Sequence, residues 1–312
     1  MRIKNARITI LSRTRQKIDS LPSCYNFIFD PERRADLSSY THAIIASQTC
    51  SHLEDFKQCV GSIFSIYLEK PAYVSAELIE PVIDEFIDRG GVFHHGFMTR
   101  HHPIINYATS WLELQNSQVI SAYFSIGRKL SDWRPLQSND AFVSYSYDRA
   151  RGGIVFFDLI HELDLLMAFF GPVVEAFGFS AELEEKGCVR IASGDAVCIH
   201  HNSVVSAVHL DSVDPVGHRK IRFLGNNLYF EANLLSGEVK QLVEGRLETR
   251  VFESDRNKMF VDAMKQFILM SELRGEERRQ VAIRNKGIAL ASLRLAEQLS
   301  WQSRVGLSSE SI

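Results

Sequence analysis

Lys70 sits at the tip of an apolar run, Phe64-Ser-Ile-Tyr-Leu-Glu69-Lys70-Pro71, where a buried strand should hand over to a loop. A lysine at a strand end is most often a solvated cap. Here Pro71 fixes the turn and removes a backbone donor, and an X-Pro bond is the common site of a cis peptide. Further on, Gly152-Gly153-Ile-Val-Phe-Phe-Asp158-Leu-Ile-His161-Glu-Leu-Asp164 threads three polar residues at i, i+3 and i+6 through an apolar segment. If a helix begins near Asp158, these side chains share a face. Two readings stand. One is an N-cap aspartate, a core histidine and a surface aspartate. The other is a histidine oriented by a carboxylate in an apolar cleft, a suitable proton acceptor near neutral pH.

The elements that would position these groups are legible in the spacing. Ala6–Ser12, His42–Ala46, Phe64–Leu68 and Gly91–Met98 are short apolar runs. A helix is expected after Ser51, with Ser51 and Glu54 as a capping box. Another spans Ser75–Arg89 and ends at Gly90-Gly91. Short buried strands alternating with helices predict a parallel α/β sheet, in which ligands lie beyond the carboxyl ends of the strands. Gln48-Thr49, Glu69-Lys70 and Arg100 each follow a strand and so fall along one edge.

Beyond about residue 99 the pattern changes. Val119–Gly127 alternates like a half-exposed strand, Asp132–Ser146 is an irregular loop, and Ile160–Phe170 is an amphipathic helix. Val173–Phe179, Val189–Ile191, Ala196–His200, Ser203–Leu210, Lys220–Leu224 and Asn227–Glu231 are expected as antiparallel strands, followed by helices near Asp255–Met270 and Glu276–Ser300. The predicted fold class is α/β with a parallel sheet over residues 1–98, then an α+β domain with a largely antiparallel sheet over 99–312.

Composition excludes several classes. Of 312 residues 45% are hydrophobic and 23% charged, with a net charge of −3, so nothing favours nucleic acid or an anionic membrane. The most apolar stretch, Ile154–Val174, is broken by Asp158, His161, Glu162 and Asp164 and is no membrane span. The start has no apolar core or cleavage site of a signal peptide. Five scattered cysteines fit reduced thiols, hence a cytoplasmic protein. The adjacent pairs His94-His95, His101-His102 and His200-His201 cannot readily converge on one ion, so no metal site is expected, and a metal hydrolase is disfavoured.

"YLEKPAYVS", "GFMTRHHPIINY", "SDWRP" and "GGIVFFDLIHELDLLMAFFG", with "HAIIASQTCSHLEDFKQCV" before them, resemble the glucose-fructose oxidoreductase / inositol dehydrogenase (Gfo/Idh/MocA) family of NAD(P)-dependent oxidoreductases. The resemblance runs in order from about residue 6 to residue 300, and the DWRP-plus-HELD combination is most similar to members tied to surface-polysaccharide and sialic-acid-like sugar pathways. It implies a Rossmann-type sheet and hydride transfer between a nicotinamide cofactor, NADP or NAD, and a hydroxyl or keto carbon of a sugar or sugar derivative. Lys70 matches the catalytic lysine, His161 the proton-relay histidine, and Asp158 the carboxylate orienting substrate and histidine. It further implies cofactor contacts at Ser12, Arg13, Ser47, Gln48, Thr49, His52, Glu69, Lys70, Trp133 and Arg134. Arg100, Tyr107, Asp158 and His161 would serve the substrate, with Trp133 and Arg134 also near the sugar side. Two arginines suit an acidic or phosphorylated sugar, and Arg13 after the first strand suits a 2′-phosphate. A homodimer or homotetramer through the open face of the second sheet is expected.

Two departures bear on this. Asp158 precedes His161 by three positions where the family commonly has four. The family's opening strand and GxGxxG turn, which hold the pyrophosphate, are missing. The first glycine is Gly61, so roughly 30 residues of a βαβ unit are expected to be absent and the Rossmann sheet to be incomplete. The alternative function is therefore a catalytically silent, truncated homologue acting as an oligomeric or sugar-binding protein.

Overall fold

The computed structural model describes residues 7–12, 26–115, 118–133, 146, 148, 152–185, 188–253, 255–301 and 304–306. Arg13, Arg134 and the side chain of Trp133 lie outside the described residues, as does most of the expected Asp132–Ser146 loop.

The first part is parallel, as expected, but comes as two separate sheets. β1 (Thr9–Ser12) pairs with β2 (Asn26–Phe29), a strand the sequence reading missed. β3 (His42–Ile45), β4 (Ser65–Leu68) and β5 (Val92–His95) form the other sheet, in that spatial order. All four residues of β4 and of β5 are buried, which is why both read as continuous apolar runs. Ile45, Leu68 and His95 are level across the three strands. The residues that follow each strand therefore emerge together on one edge.

Helices cover this sheet. α1 (His52–Cys59) follows a 3-10 turn over Thr49–Ser51, and α2 (Ala76–Asp88) buries Ile79, Ile83, Phe86 and Ile87 at helical spacing. α2 stops at Gly90, whose φ of 83° only glycine adopts without strain. The expected capping box at Ser51 does not form. Ser51 has helical backbone angles inside the 3-10 turn, and its side chain makes no cap hydrogen bond. The Asp30 carboxylate accepts from the Arg34 and Ala35 amides and from Gln58, tying the end of β2 to α1.

The second part is built on a nine-stranded sheet. Its strands are β6 (Val119–Gly127), β7 (Val173–Glu185), β8 (Cys188–His200), β9 (Val205–Asp211), β10 (His218–Gly225), β11 (Leu228–Asn233), β12 (Glu238–Val243), β13 (Arg246–Val251) and β14 (Arg304–Gly306). The spatial order is β13-β12-β11-β10-β6-β9-β8-β7-β14. The sheet is largely antiparallel, as expected; β6 runs parallel to β9 and β14 to β7. The expected short strands at 189–191 and 196–200 are one long strand, β8.

α3 (Pro103–Glu113), short α4 (Leu130–Trp133) and α5 (Val155–Asp158) precede α6 (His161–Phe170). α7 (Arg256–Glu272) and α8 (Gly275–Trp301) end the helical set. α8 packs on β5, α2, α5, α6 and β7. Asn285 donates to the Phe93 carbonyl at 2.8 Å and Lys286 pairs with Asp84 at 2.7 Å. One apolar cluster runs from Leu37 through Phe93, Phe156 and Phe223 to Leu299. Each fully buried side chain of this size contributes about 1.5–3 kcal/mol.

Candidate active site

Lys70 is delivered as the sequence predicts, at the carboxyl end of β4, and its bond to Pro71 is cis. Its ammonium Nζ donates to the main-chain carbonyl of Asp158 at 2.6 Å, joining segments 88 positions apart. That bond brings the Glu69-Lys70-Pro71 turn against the segment leading into α6. Glu69 lies beside it over Gly96, where a Cβ would stand only 2.8 Å from the Glu69 Cα and its carboxylate. A glycine is needed at 96 for that approach. Burial pushes the Glu69 carboxyl up, opposed by the adjacent Lys70 charge. A narrow crevice lined by Glu69, Lys70, His95, Gly96 and Phe97 opens here. A wider groove between Gly90-Gly91 and Gly275–Arg279 lies at the opposite, amino-terminal end of β5, away from where parallel sheets bind ligands.

His161 is the first residue of α6. α6 bears out the helix expected over Ile160–Phe170, but it does not begin near Asp158, so Asp158, His161 and Asp164 do not share one helix: α5 ends at Asp158, Leu159 and Ile160 intervene, and α6 starts at His161. His161 Nδ1 is buried with no hydrogen-bond partner among the described residues, so the Asp158 carboxylate does not hold it there. The ring meets Phe97 edge-on, centroids 5.9 Å apart. Burial, then the positive charges of Lys70 and Arg219, hold His161 well below the usual imidazole range. The folded ring is therefore neutral, and a weaker base than a free imidazole.

The next acidic residues of α6 are used structurally. Asp164 is 1% exposed and accepts two 2.7 Å bonds from the Arg100 guanidinium. Glu162, equally buried, accepts from Arg219 at 2.7 Å, and Arg219 also reaches Thr99 at 3.2 Å. These pairs clamp α6 to the 3-10 turn Met98–His101 and to β10. Buried carboxylates without such partners would cost several kcal/mol each.

The loop after β3 reaches the same edge. Ser47 donates to Asp55 at 2.5 Å. His52, 1% exposed, places Nδ1 3.0 Å from the Pro71 carbonyl and Nε2 3.1 Å from that of Ser47. It thus bridges the Ser47–Thr49 loop to the lysine turn, and burial lowers its proton affinity. Gln48 precedes the 3-10 turn and Thr49 is buried. A Cβ on Gly152 would meet Val74 at 3.3 Å and Thr49 at 3.7 Å. The Gly152-Gly153 segment therefore packs on both loops.

Other expected residues lie apart. Tyr107, on α3, donates to Gln241 on β12 at 2.7 Å and packs against Phe252. Ser12 ends β1 and its carbonyl accepts from Asp30. His102, read in the sequence only as half of an adjacent histidine pair, caps α3: its Nδ1 accepts from the Ile104 amide at 3.1 Å. The Gly152-Gly153 pair is a local signal of close backbone packing, whereas nothing local points to Arg219, whose partners come from distant segments.

No family model matches the chain, and no curated protein matches it in sequence. Solved structures do match in fold. A 3-ketoreductase from Actinomadura kijaniata, in complex with NADP and TDP-benzene, superposes with a TM-score of 0.76 at 13% identity, over 96% of this chain and 91% of that one. UDP-N-acetylglucosamine 3-dehydrogenase from Acidithiobacillus ferrooxidans gives 0.69 at 16%, over 89% and 83%. An inositol dehydrogenase homologue complexed with NAD+ from Azotobacter vinelandii gives 0.68 at 14%, over 87% and 78%. The chain has the mixed α/β fold of these oxidoreductases, in keeping with the family resemblance read from its motifs.

Proposed function

We propose that the chain is of the Gfo/Idh/MocA type and exchanges a hydride between NADP or NAD and a hydroxyl or keto carbon of a sugar or nucleotide-linked sugar. The observation that carries this is the 2.6 Å bond from Lys70 Nζ to the Asp158 carbonyl, which seats the strand-end lysine beside the His161 segment. The fold neighbours, among them a UDP-N-acetylglucosamine 3-dehydrogenase and a 3-ketoreductase in complex with NADP and TDP-benzene, support the same reading.

The buried, unpartnered Nδ1 of His161, on the segment that Lys70 reaches, fits the reactive end of such a cofactor. The glycine-rich turn that usually holds a pyrophosphate is not among the described residues. Glu69 and Lys70, with the loop Ser47–Thr49, would flank the ring, and Arg13, Trp133 and Arg134 remain proposed contacts. The bound cofactor supplies the hydride acceptor or donor; the chain supplies charge and proton transfer. Lys70 stabilises negative charge growing on the reacting oxygen, and His161, neutral as folded, takes the hydroxyl proton or returns it. Asp158 contributes its carbonyl to Lys70 and is proposed to contact substrate. Arg100 and Tyr107 act on the sugar side only if they leave Asp164 and Gln241.

The open face of the large sheet exposes Phe177, Phe179, Val197 and Val205. Contiguous apolar surface of this kind marks an interface, and we assign it to a homodimer or homotetramer. No helix among the described residues is long and apolar enough to cross a membrane.

Titration with NADPH and NADH, followed by turnover assays on UDP- and TDP-linked sugars, tests the proposal. Cofactor binding with turnover lost in Lys70→Ala supports it. No binding at millimolar cofactor overturns it and favours the catalytically silent alternative.

A further inference from the structure

On the face of the large sheet opposite α6, strand register assembles a second constellation. Phe124 points toward α6, packing on Phe169 and Phe170, so its neighbour Ser125 faces the other way. β6 lies between β9 and β10. Ser125 is level with His209, and Gly127 is level with Asp211 on one side and His218 on the other. On β8, Asp195 is level with His209. Residues two apart share a face, so Asp195, His209 and Ser125 form one row and Asp211, Gly127 and His218 the next.

Gly127 makes the second row work. A Cβ there would collide with the Asp211 carboxylate and stand 2.6 Å from the His218 ring. Without it, Asp211 and His218 meet across β6. One ligand atom from each of His209, Asp211 and His218 lies within 4.8 Å of the others.

Each of the three is aimed from behind. His209 Nδ1 contacts Asp195 at 2.7 Å, and His218 Nδ1 contacts Asp214 at 2.6 Å. Asp211 Oδ1 accepts from the amides of Val213 at 3.0 Å and Asp214 at 2.7 Å. His209 Nε2, His218 Nε2 and Asp211 Oδ2 are thereby turned inward; the first and last are 3.2 Å apart. Ser125 Oγ touches His218 Nε2 at 2.5 Å. Imidazoles held through Nδ1 by carboxylates are how proteins orient metal-binding histidines.

We propose that His209, Asp211 and His218 bind a divalent transition-metal ion of the zinc class through these three inward atoms. Two imidazole nitrogens and one carboxylate oxygen suit zinc and its neighbours rather than calcium or magnesium. Bonds of about 2.0–2.1 Å place tetrahedral ligand atoms about 3.3 Å apart, reached here by small side-chain rotations. With both histidines more than a quarter exposed, water or the Ser125 hydroxyl completes the set. The ion would pin the loop between β9 and β10 across β6, on the face away from His161. The site is independent of the proposed reaction.

Chelator-dialysed protein titrated with Zn²⁺ by calorimetry, and with Co²⁺ by visible absorption, tests this. One ion per chain at micromolar affinity is expected, with tetrahedral Co²⁺ bands and a higher Tm. Asp211→Asn and His218→Ala should abolish binding, while His201→Ala, at an exposed histidine off the cluster, should not. Asp214→Asn keeps all three ligands and should weaken binding about 10–100-fold, so the proposal survives a ligand variant that fails to fold. Absence of Zn²⁺ uptake by the wild-type chain, or wild-type affinity in folded Asp211→Asn and Asp214→Asn, overturns it.

Discussion

Lys70 and His161 are each ordinary in isolation; their juxtaposition is what chemistry needs. Lys70 spends one donor on a main-chain carbonyl, which aims the ammonium without neutralising its charge. His161 is neutral because burial and two nearby cations disfavour its protonated form. His161→Asn should leave cofactor affinity near wild type and lower kcat about 10²–10⁴-fold, the usual worth of a positioned proton acceptor. Steady-state kinetics beside cofactor titration checks this, and loss of both together would mean His161 serves structure instead. Lys70 was legible because strand ends and the Pro71 turn are local signals. Arg100 shows the limit: its cation is visible in sequence, but its carboxylate partner Asp164 lies 64 positions away. Nothing local distinguishes an arginine aimed at substrate from one aimed at a buried aspartate.

At the scale of elements, α6 is held by two buried ion pairs as well as by apolar packing. Removing one partner of a buried pair strands the other, at about 3–5 kcal/mol. Arg100→Ala should therefore lower stability by about that much, whereas Arg100→Met with Asp164→Leu, which removes both charges, should cost far less. Denaturant melts of the two variants distinguish a clamp from an incidental contact. α3 offers a pH test. Burial, then Arg219, lowers the His102 imidazole to about 4, and its Nδ1 must stay unprotonated to cap the helix. Between pH 6.5 and about 4 the unfolded chain binds this proton and the folded chain does not, so stability falls as pH drops through that window. His102→Asn keeps a cap acceptor without the titration, and the Tm-versus-pH slope there should shrink. Elements with buried faces were the legible ones: β4, β5, α2 and α8 announce themselves by apolar spacing. β13 does not, because all six of its residues are exposed and only pairing with β12 makes it a strand. The break between α5 and α6 was equally hidden, since Val155–Ile160 contains neither glycine nor proline.

For the molecule as a whole, two apolar surfaces have different consequences. β1 and β2 pair only with each other, and β3 pairs only with β4, among the described residues. Leu11 is 38% and Ile44 60% exposed on these strands. An apolar strand edge without a partner is a template for unspecific pairing. Ile44→Lys, a surface change worth within about 0.5 kcal/mol of stability, should reduce aggregation on concentration or mild heating, read by light scattering. The open face of the nine-stranded sheet is different in kind: Phe177 and Phe179 stand beside Val197 on a regular ladder, a geometry that a second copy can match by symmetry. Phe179→Lys should shift the sedimentation profile from the proposed oligomer toward monomer and leave heat-induced scattering unchanged. Ile44→Lys should do the reverse. If Ile44→Lys instead dissociates the proposed oligomer, the subunit contact belongs to the parallel sheet, and the large sheet's open face needs another occupant.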